Sequence, residues 1–431
     1  MNNKTSPIWH PFTQHAIAPS PMHIDRAAGA YLFARDEKNQ EPRRIIDAIS
    51  SWWVITHGHC HPEIVKAVQN QAAALEQVIF AGFTHDPAED LADRLIGIAG
   101  DGLDHVFYSD SGSTAVEVAL KMAIGYWEHN GKPRQKIIAL EGGYHGDTFG
   151  TMSAGARSLY NKLYEPFLFD VEHIPVPVPG AEAESFERLE EILKRNKDDV
   201  AAFIFEPLVL GAAGMQVYSA NALKTLADMC RAHDILLIAD EVMTGFGRTG
   251  SMFACEQASF VPDLMCLSKG LTGGFLPMGA TLCSSDIYQA FYHKDKAKTF
   301  FHSSSFSGNP LACAAANASF GIWENEPVTE RIDDIAESHA AAAVEFSARD
   351  DVAMVRQKGS ILALDVKVER ADGYLSDVQP KIYNHSLSQN VLLRPIGNII
   401  YVLPPYCVSE EDLGEIYAAI HGALDVAFEQ G

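Results

Sequence analysis

Two short apolar runs end on residues that could share one piece of chemistry. Ile235-Leu236-Leu237-Ile238-Ala239 runs into Asp240-Glu241, and Leu264-Met265-Cys266-Leu267 runs into Ser268-Lys269-Gly270. Runs of this length, bounded by polar residues, read as buried strands. In a doubly wound sheet, ligands sit outside the carboxyl ends of the strands, so Asp240 and Lys269 can converge on one edge. A lysine amine takes an aldehyde as a Schiff base, and a carboxylate keeps a pyridine nitrogen protonated. The pair therefore suggests a pyridoxal phosphate site. A surface lysine and a helix-capping aspartate would leave the same letters, so the pair does not decide alone.

Other loops offer further groups. Ser109-Asp110-Ser111-Gly112-Ser113-Thr114 lies between strand-like His105–Tyr108 and a helix, Ala115–Trp127, with Val116, Leu120, Ala123 and Trp127 inward. Free amides and the positive end of the dipole make such a turn a phosphate site, although serine and threonine also serve as plain helix caps. Glu141-Gly142-Gly143-Tyr144-His145-Gly146-Asp147 follows the strand Lys136–Leu140. Its tyrosine can lie flat on a cofactor ring, or the loop is an ordinary glycine turn. Gly245-Phe246-Gly247-Arg248-Thr249-Gly250 matches the dinucleotide fingerprint by letter, but its acids precede the glycines and no long helix follows. His57-Gly58-His59-Cys60-His61-Pro62 has no second ligand pair at zinc spacing. Pro62 instead reads as the first turn of a helix carrying Ile64, Val68 and Leu75 on one face.

The elements that must position these groups alternate. Beyond the strands above, Ala201–Phe205 reads as a strand. Helical spacing marks Phe186, Leu189, Ile192 and Leu193, then Leu223, Leu226, Ala227 and Cys230. Alternation of this kind implies an α/β fold with a mainly parallel, doubly wound sheet. Residues 56–317 form this large domain. Residues 318–431 change character: an alanine-rich helix with Ile332, Ile335, Ala336, Ala343 and Phe346, strands at Ile361–Val366 and Ile399–Leu403, and a last helix capped by Ser409 that buries Leu413, Ile416, Ile420 and Leu424. They read as a smaller α+β domain, joined by residues 1–55. In that first segment Tyr31–Phe33 and Arg44–Ala48 suggest a hairpin about a polar turn, residues 35–42. Its aromatics, Trp9, Phe12, Tyr31, Phe33, Trp52 and Trp53, serve either the core or a substrate wall.

Composition narrows the partners. At 431 residues, 47% hydrophobic and 21% charged, the chain is an ordinary globular protein, and its net charge of −23 argues against nucleic acid. Seven scattered cysteines without a C-x-x-C pair point to reduced thiols in the cytoplasm. The start, Met1–Phe12, lacks the apolar core of a signal peptide, and no apolar stretch reaches membrane-spanning length.

Asp240-Glu241-Val242, the Gly245–Gly250 loop, Asp263 and Ser268-Lys269-Gly270 together resemble the class III (omega) aminotransferases, pyridoxal phosphate enzymes of fold type I, over nearly the whole chain. A further set is similar to the branch of that family that serves biotin synthesis: Ile8-Trp9-His10-Pro11-Phe12, Ser51-Trp52-Trp53, Ser109–Ser113, Gly142–Gly150, Asn309–Cys313, Arg394-Pro395 and Tyr401. The resemblance implies transfer of an amino group from S-adenosylmethionine to 8-amino-7-oxononanoate by a homodimer. It implies that Lys269 is catalytic and carries the cofactor. Asp240 would meet the pyridine nitrogen, Ser111, Gly112 and Ser113 the phosphate, and Tyr144 the ring. Ser304 and Ser305 would belong to the cofactor site, with Ser305 reaching the phosphate of the other subunit. Arg394 would pair with the substrate carboxylate, and Phe12, Trp52, Trp53, Tyr144, Ser303 and Tyr401 would line the substrate. Two departures stand out. Phe12 occupies a position where users of adenosylmethionine typically carry tyrosine and users of lysine phenylalanine, and Ser303-Ser304-Ser305 replaces the usual Gly-Pro-Thr.

Overall fold

A computed structural model describes residues 7–35, 41–196, 198–368 and 376–428. Most of the expected turn at 35–42 therefore lies outside the described residues, as do the first six residues of the chain. The centre is a seven-stranded sheet. Its strands are β1 (His105–Ser109), β2 (Lys136–Leu140), β3 (Glu172–Ile174), β4 (Val200–Phe205), β5 (Leu236–Asp240), β6 (Leu264–Leu267) and β7 (Gly279–Cys283). Their order across the sheet is β1-β7-β6-β5-β4-β2-β3. The pairs β2–β3, β2–β4, β4–β5 and β5–β6 are parallel. Only β7 runs against its neighbours β6 and β1.

Helices cover both faces, so the strands read as continuous apolar runs. All six residues of β4 are buried. Phe203, Phe205 and Leu237 join one core with Leu223 and Leu226, while Ala202, Ile204 and Ile238 join another with Val116, Leu120 and Ala123. That split is the period-two alternation of a strand packed on two sides. The helix Gly112–His129 crosses near β7, where Thr281 Oγ1 donates to the Ala115 carbonyl at 2.8 Å.

Three N-terminal strands, Ile24–Ala28, Tyr31–Ala34 and Arg43–Asp47, form an antiparallel meander. The short strand Val391–Leu392 adds to it, parallel to the third, so the start of the chain pairs with its C-terminal third. A separate antiparallel sheet contains Val352–Lys358, Ile361–Val366 and Ile399–Val402. The last helix, Glu410–Phe428, begins where Ser409 Oγ accepts the Asp412 amide at 3.1 Å. The helix Pro62–Ala72 ends before Leu75, which is therefore not on its face. Among the described residues no helix is long and apolar enough to cross a membrane.

Candidate active site

Asp240 closes β5, Lys269 follows β6 by two residues, and the two strands are adjacent and parallel with Asp240 opposite Cys266. Both side chains thus emerge at one sheet edge. Asp240 is buried, with Oδ2 2.7 Å from His145 Nδ1 and Oδ1 accepting the Val242 amide at 3.1 Å. The other ring nitrogen of His145, also buried, has no hydrogen-bond partner among the described residues. Lys269 holds a left-handed φ of +46°, and its Nζ stands 4.9 Å from the centre of the Trp53 ring. Burial pushes the amine down to about 8, against the pull of the Asp240 and Glu206 carboxylates.

Glu206, just beyond β4, is a member of this centre that the sequence did not single out. It is buried, and its two oxygens accept the amides of Tyr144 and Gly211, each at 2.9 Å. Burial pushes its carboxyl up to about 7. One side chain thereby fixes the Tyr144 loop against the segment beneath Trp53, since a Cβ on Gly211 would lie 3.1 Å from that ring.

Ser111 caps the helix Gly112–His129, with Oγ accepting the Thr114 amide at 3.2 Å. The first amides of this helix, those of Gly112 and Ser113, have no carbonyl a turn earlier to receive them. Gly112 abuts Val242, where a Cβ would come within 2.7 Å of Cγ1. Ser113 Oγ accepts the Asp147 amide at 3.3 Å, which ties the phosphate-type turn to the Tyr144 loop. Tyr144 remains 39% exposed. A helix start for an anion, a buried carboxylate fixed by a histidine, an exposed tyrosine and a lysine with a depressed amine fit pyridoxal phosphate as a donor set.

A second group of aromatics adjoins the lysine. Arg394 lies 4.8 Å over the Trp52 ring, and Trp52 packs against Phe12 with centroids 5.5 Å apart. Phe12 in turn meets Tyr160 edge-on at 5.8 Å. Trp53 is buried and meets Tyr401 edge-on at 5.9 Å. Ser304 Oγ donates to Asp110 Oδ1 of its own chain at 2.7 Å, whereas Ser303 and Ser305 are exposed.

The histidine-rich stretch spreads over three partners: His57 Nε2 meets Ser319 Oγ at 3.0 Å, His59 Nε2 meets Asp47 at 2.9 Å, and His61 Nε2 meets Glu326 at 3.1 Å. In the glycine-rich loop the informative residue is Arg248. It is fully buried and donates to the carbonyls of Ile55 and Pro404, each at 2.9 Å. That loop anchors backbone just after the tryptophan pair, at Ile55, and just after Tyr401, at Pro404.

The model of the family described as Aminotransferase class-III matches residues 13–424. The chain is 46% identical to the adenosylmethionine-8-amino-7-oxononanoate aminotransferase of Synechococcus elongatus, over 97% of this chain and 98% of that one. It is 38% identical to the enzyme of the same name from Geobacter sulfurreducens, over 94% and 93%. Among solved structures, the adenosylmethionine-8-amino-7-oxononanoate aminotransferase of Methanocaldococcus jannaschii superposes with a TM-score of 0.91 at 33% identity, covering 97% of this chain and 96% of that one. A PLP-bound amine transaminase from an uncultivated Pseudomonas species gives 0.90 at 32%, covering 98% and 99%.

Proposed function

Because the chain belongs to the class-III aminotransferase family, we propose that it moves an amino group from S-adenosylmethionine to 8-amino-7-oxononanoate, giving 7,8-diaminononanoate for biotin synthesis. The observation that carries this reading is the tandem tryptophan pair. Trp53 touches the lysine amine and Trp52 touches the Arg394 guanidinium. A substrate with a reactive carbonyl, an apolar chain and a terminal carboxylate suits that order: amine, aromatic wall, cation. Arg394 offers the carboxylate a planar two-point fork.

When bound, pyridoxal phosphate supplies the carbonyl carbon that holds the amino group and the electron-poor ring that lets the neighbouring carbon lose a proton. Lys269 carries that proton at Nζ, and an amine near 8 is partly unprotonated around neutrality. Asp240 presents a carboxylate to the ring nitrogen, held in place by His145 Nδ1. Ser111, Gly112 and Ser113 would hold the phosphate at the helix start, and Tyr144 would meet the ring. Phe12, Trp52, Trp53 and Tyr401 exclude water from the chain of the substrate, and Ser303 lines it.

The same reading takes residues 56–317 as the cofactor domain, with 1–55 joining 318–431, and makes the enzyme a cytoplasmic homodimer. Exposed apolar side chains, among them Phe83, Phe149, Leu163, Phe167, Phe301 and Phe306, support a second copy as their cover. Ser304 and Ser305 lie between exposed Phe301 and Phe306, and Ser305 would reach the phosphate held by the other subunit.

Phe12 favours a second reading for the donor alone. Its ring packs on Trp52 where a tyrosine hydroxyl would offer a hydrogen bond to a polar donor, so lysine is the alternative amine. The test is a pair of half-reactions. Protein loaded with pyridoxal phosphate is mixed with S-adenosylmethionine or lysine separately, and loss of the visible cofactor band is followed. 8-Amino-7-oxononanoate is then added and the diamine is sought by mass spectrometry. Band loss with S-adenosylmethionine and diamine formation is the expected result. Band loss with lysine alone replaces the donor, and no diamine with either overturns the assignment.

A further inference from the structure

Ser50, Ser51, Trp52 and Trp53 have φ of +52°, +44°, +74° and +73°. No other run of consecutive non-glycine residues among the described ones shares this left-handed conformation. The conformation crowds Cβ against the backbone, so it persists only where the surroundings enforce it. Part of the enforcement is local: the Trp53 amide donates to Ile49 O and the Val54 amide to Ser50 O, each at 2.9 Å. Outside the turn, Ser50 Oγ donates to Leu403 O at 2.7 Å.

The Arg248 guanidinium reaches Trp53 O at 3.5 Å, and the anchor from the preceding strand is Asp47, whose side chain is fully buried. Its Oδ2 accepts Ser51 Oγ at 2.6 Å and lies 2.9 Å from His59 Nε2, and its Oδ1 accepts the Ile49 amide at 3.3 Å. His59 is itself fixed by two backbone bonds with Gly29, at 2.8 and 3.1 Å. One carboxylate therefore grips the turn at its start and in its middle, and is braced from behind. The turn delivers Trp52 to Arg394 and Trp53 to Lys269.

We propose that Asp47 is a positioning residue for the acceptor site: by holding the left-handed turn Ser50–Trp53 it aims the tryptophan pair, and so sets binding of the oxo acid without touching it. This rests on the reading of Trp52 and Trp53 as the substrate wall. Asp47→Ala should raise KM for the oxo acid about tenfold with kcat within about twofold, the split expected when ground-state and transition-state binding are lost together. Adding Ser51→Gly should reverse most of that rise, because glycine adopts the left-handed conformation without an anchor. A general loss of packing at Asp47 would not be repaired by a glycine. Asp47→Asn, the gentler variant should the alanine protein fail to fold, should raise the same KM about threefold. Near-UV circular dichroism of the tryptophans provides a readout independent of turnover: Asp47→Ala alters the spectrum and the added Ser51→Gly restores it. If the wild-type protein does not accept the oxo acid, the substrate reading fails and the spectra still decide the role of Asp47. Unchanged KM and spectra in both Asp47 variants, or changes that Ser51→Gly leaves in place, overturn the proposal.

Discussion

Replacing Lys269 with methionine should abolish transamination and at the same time stabilise the cofactor-free protein. Burial lowers the amine from 10.5 to about 8, and this already includes the attraction of Asp240 and Glu206. At about 1.36 kcal/mol per pH unit, the charged amine costs the folded state roughly 3 kcal/mol. Methionine keeps the length and removes the charge, but gives up the cation–π contact with Trp53, worth about 1 kcal/mol. The net gain is then roughly 2 kcal/mol. The sign with pH follows from the folded value lying below the unfolded one. The penalty is full below about pH 8, fades between about 8 and 10.5, and is absent above. Urea unfolding of the cofactor-free proteins, at one protein concentration and at neutral and strongly alkaline pH, measures it. Lys269→Met should have the higher midpoint at neutral pH, and the gap should close in alkali. With pyridoxal phosphate added the order should reverse, because only the lysine protein is stabilised through its bond to the cofactor. A methionine variant less stable at neutral pH, or a gap that ignores pH, would refute the electrostatic account of this lysine.

Two further outcomes follow from the surroundings of the site. Glu241 is buried, and its carboxyl is pushed up to about 7, above the 4.5 of the free group, so its ionisation costs stability as pH rises through that range. Glutamine can still accept the Cys255 amide and donate to Thr244 Oγ1, so Glu241→Gln should raise the melting temperature at about pH 9 and leave it unchanged near pH 4, as thermal scans would report. Gly146 has φ of +127°, and a Cβ there would collide with Ser113 Oγ and come within 2.9 Å of Ser113 Cα. Gly146→Ala should therefore displace the helix start and weaken pyridoxal phosphate binding about tenfold or more in a spectroscopic titration, whereas Gly131→Ala, with open space around it, should not.

Much of the fold was legible because parallel strands buried on both faces leave apolar runs bounded by polar strand ends. β4, β5 and β6 are such runs, and their order brings Asp240 beside Lys269. β7 was not legible. Gly279-Ala280-Thr281-Leu282-Cys283 is small because backbone passes close by, with Gly279 against the Ser111 carbonyl, and smallness carries no strand signal. Other gaps concern side chains rather than elements. His145 was visible as a loop letter, but its bond to Asp240 joins residues 95 apart. Arg248 was hidden inside a familiar glycine pattern, and its carbonyl partners lie far from it in sequence. The left-handed turn before Val54 contains no glycine, so its backbone had no local signature at all.

These gaps share a physical pattern, and it separates chemistry from specificity. Asp240, Lys269 and the helix start at Gly112 all hang from the central sheet, where strand order alone brings them together. Trp52, Trp53 and Arg394 hang from a different frame. The strand Arg43–Asp47 pairs in parallel with Val391–Leu392, with Asp47 opposite Leu392, so the turn that follows one and the arginine that follows the other leave the same sheet together. Arg248 fastens this frame to the loop between β5 and β6 by bonding the chain after the turn, at Ile55, and the chain after Tyr401, at Pro404. A change in the frame can therefore move the tryptophans and Arg394 relative to the lysine without altering the lysine, the aspartate or the helix start at Gly112. On the proposed function, that is the physical reason the Asp240–Lys269 pair would mark a reaction class, while the tryptophans and Arg394 would carry the information about which molecule is aminated.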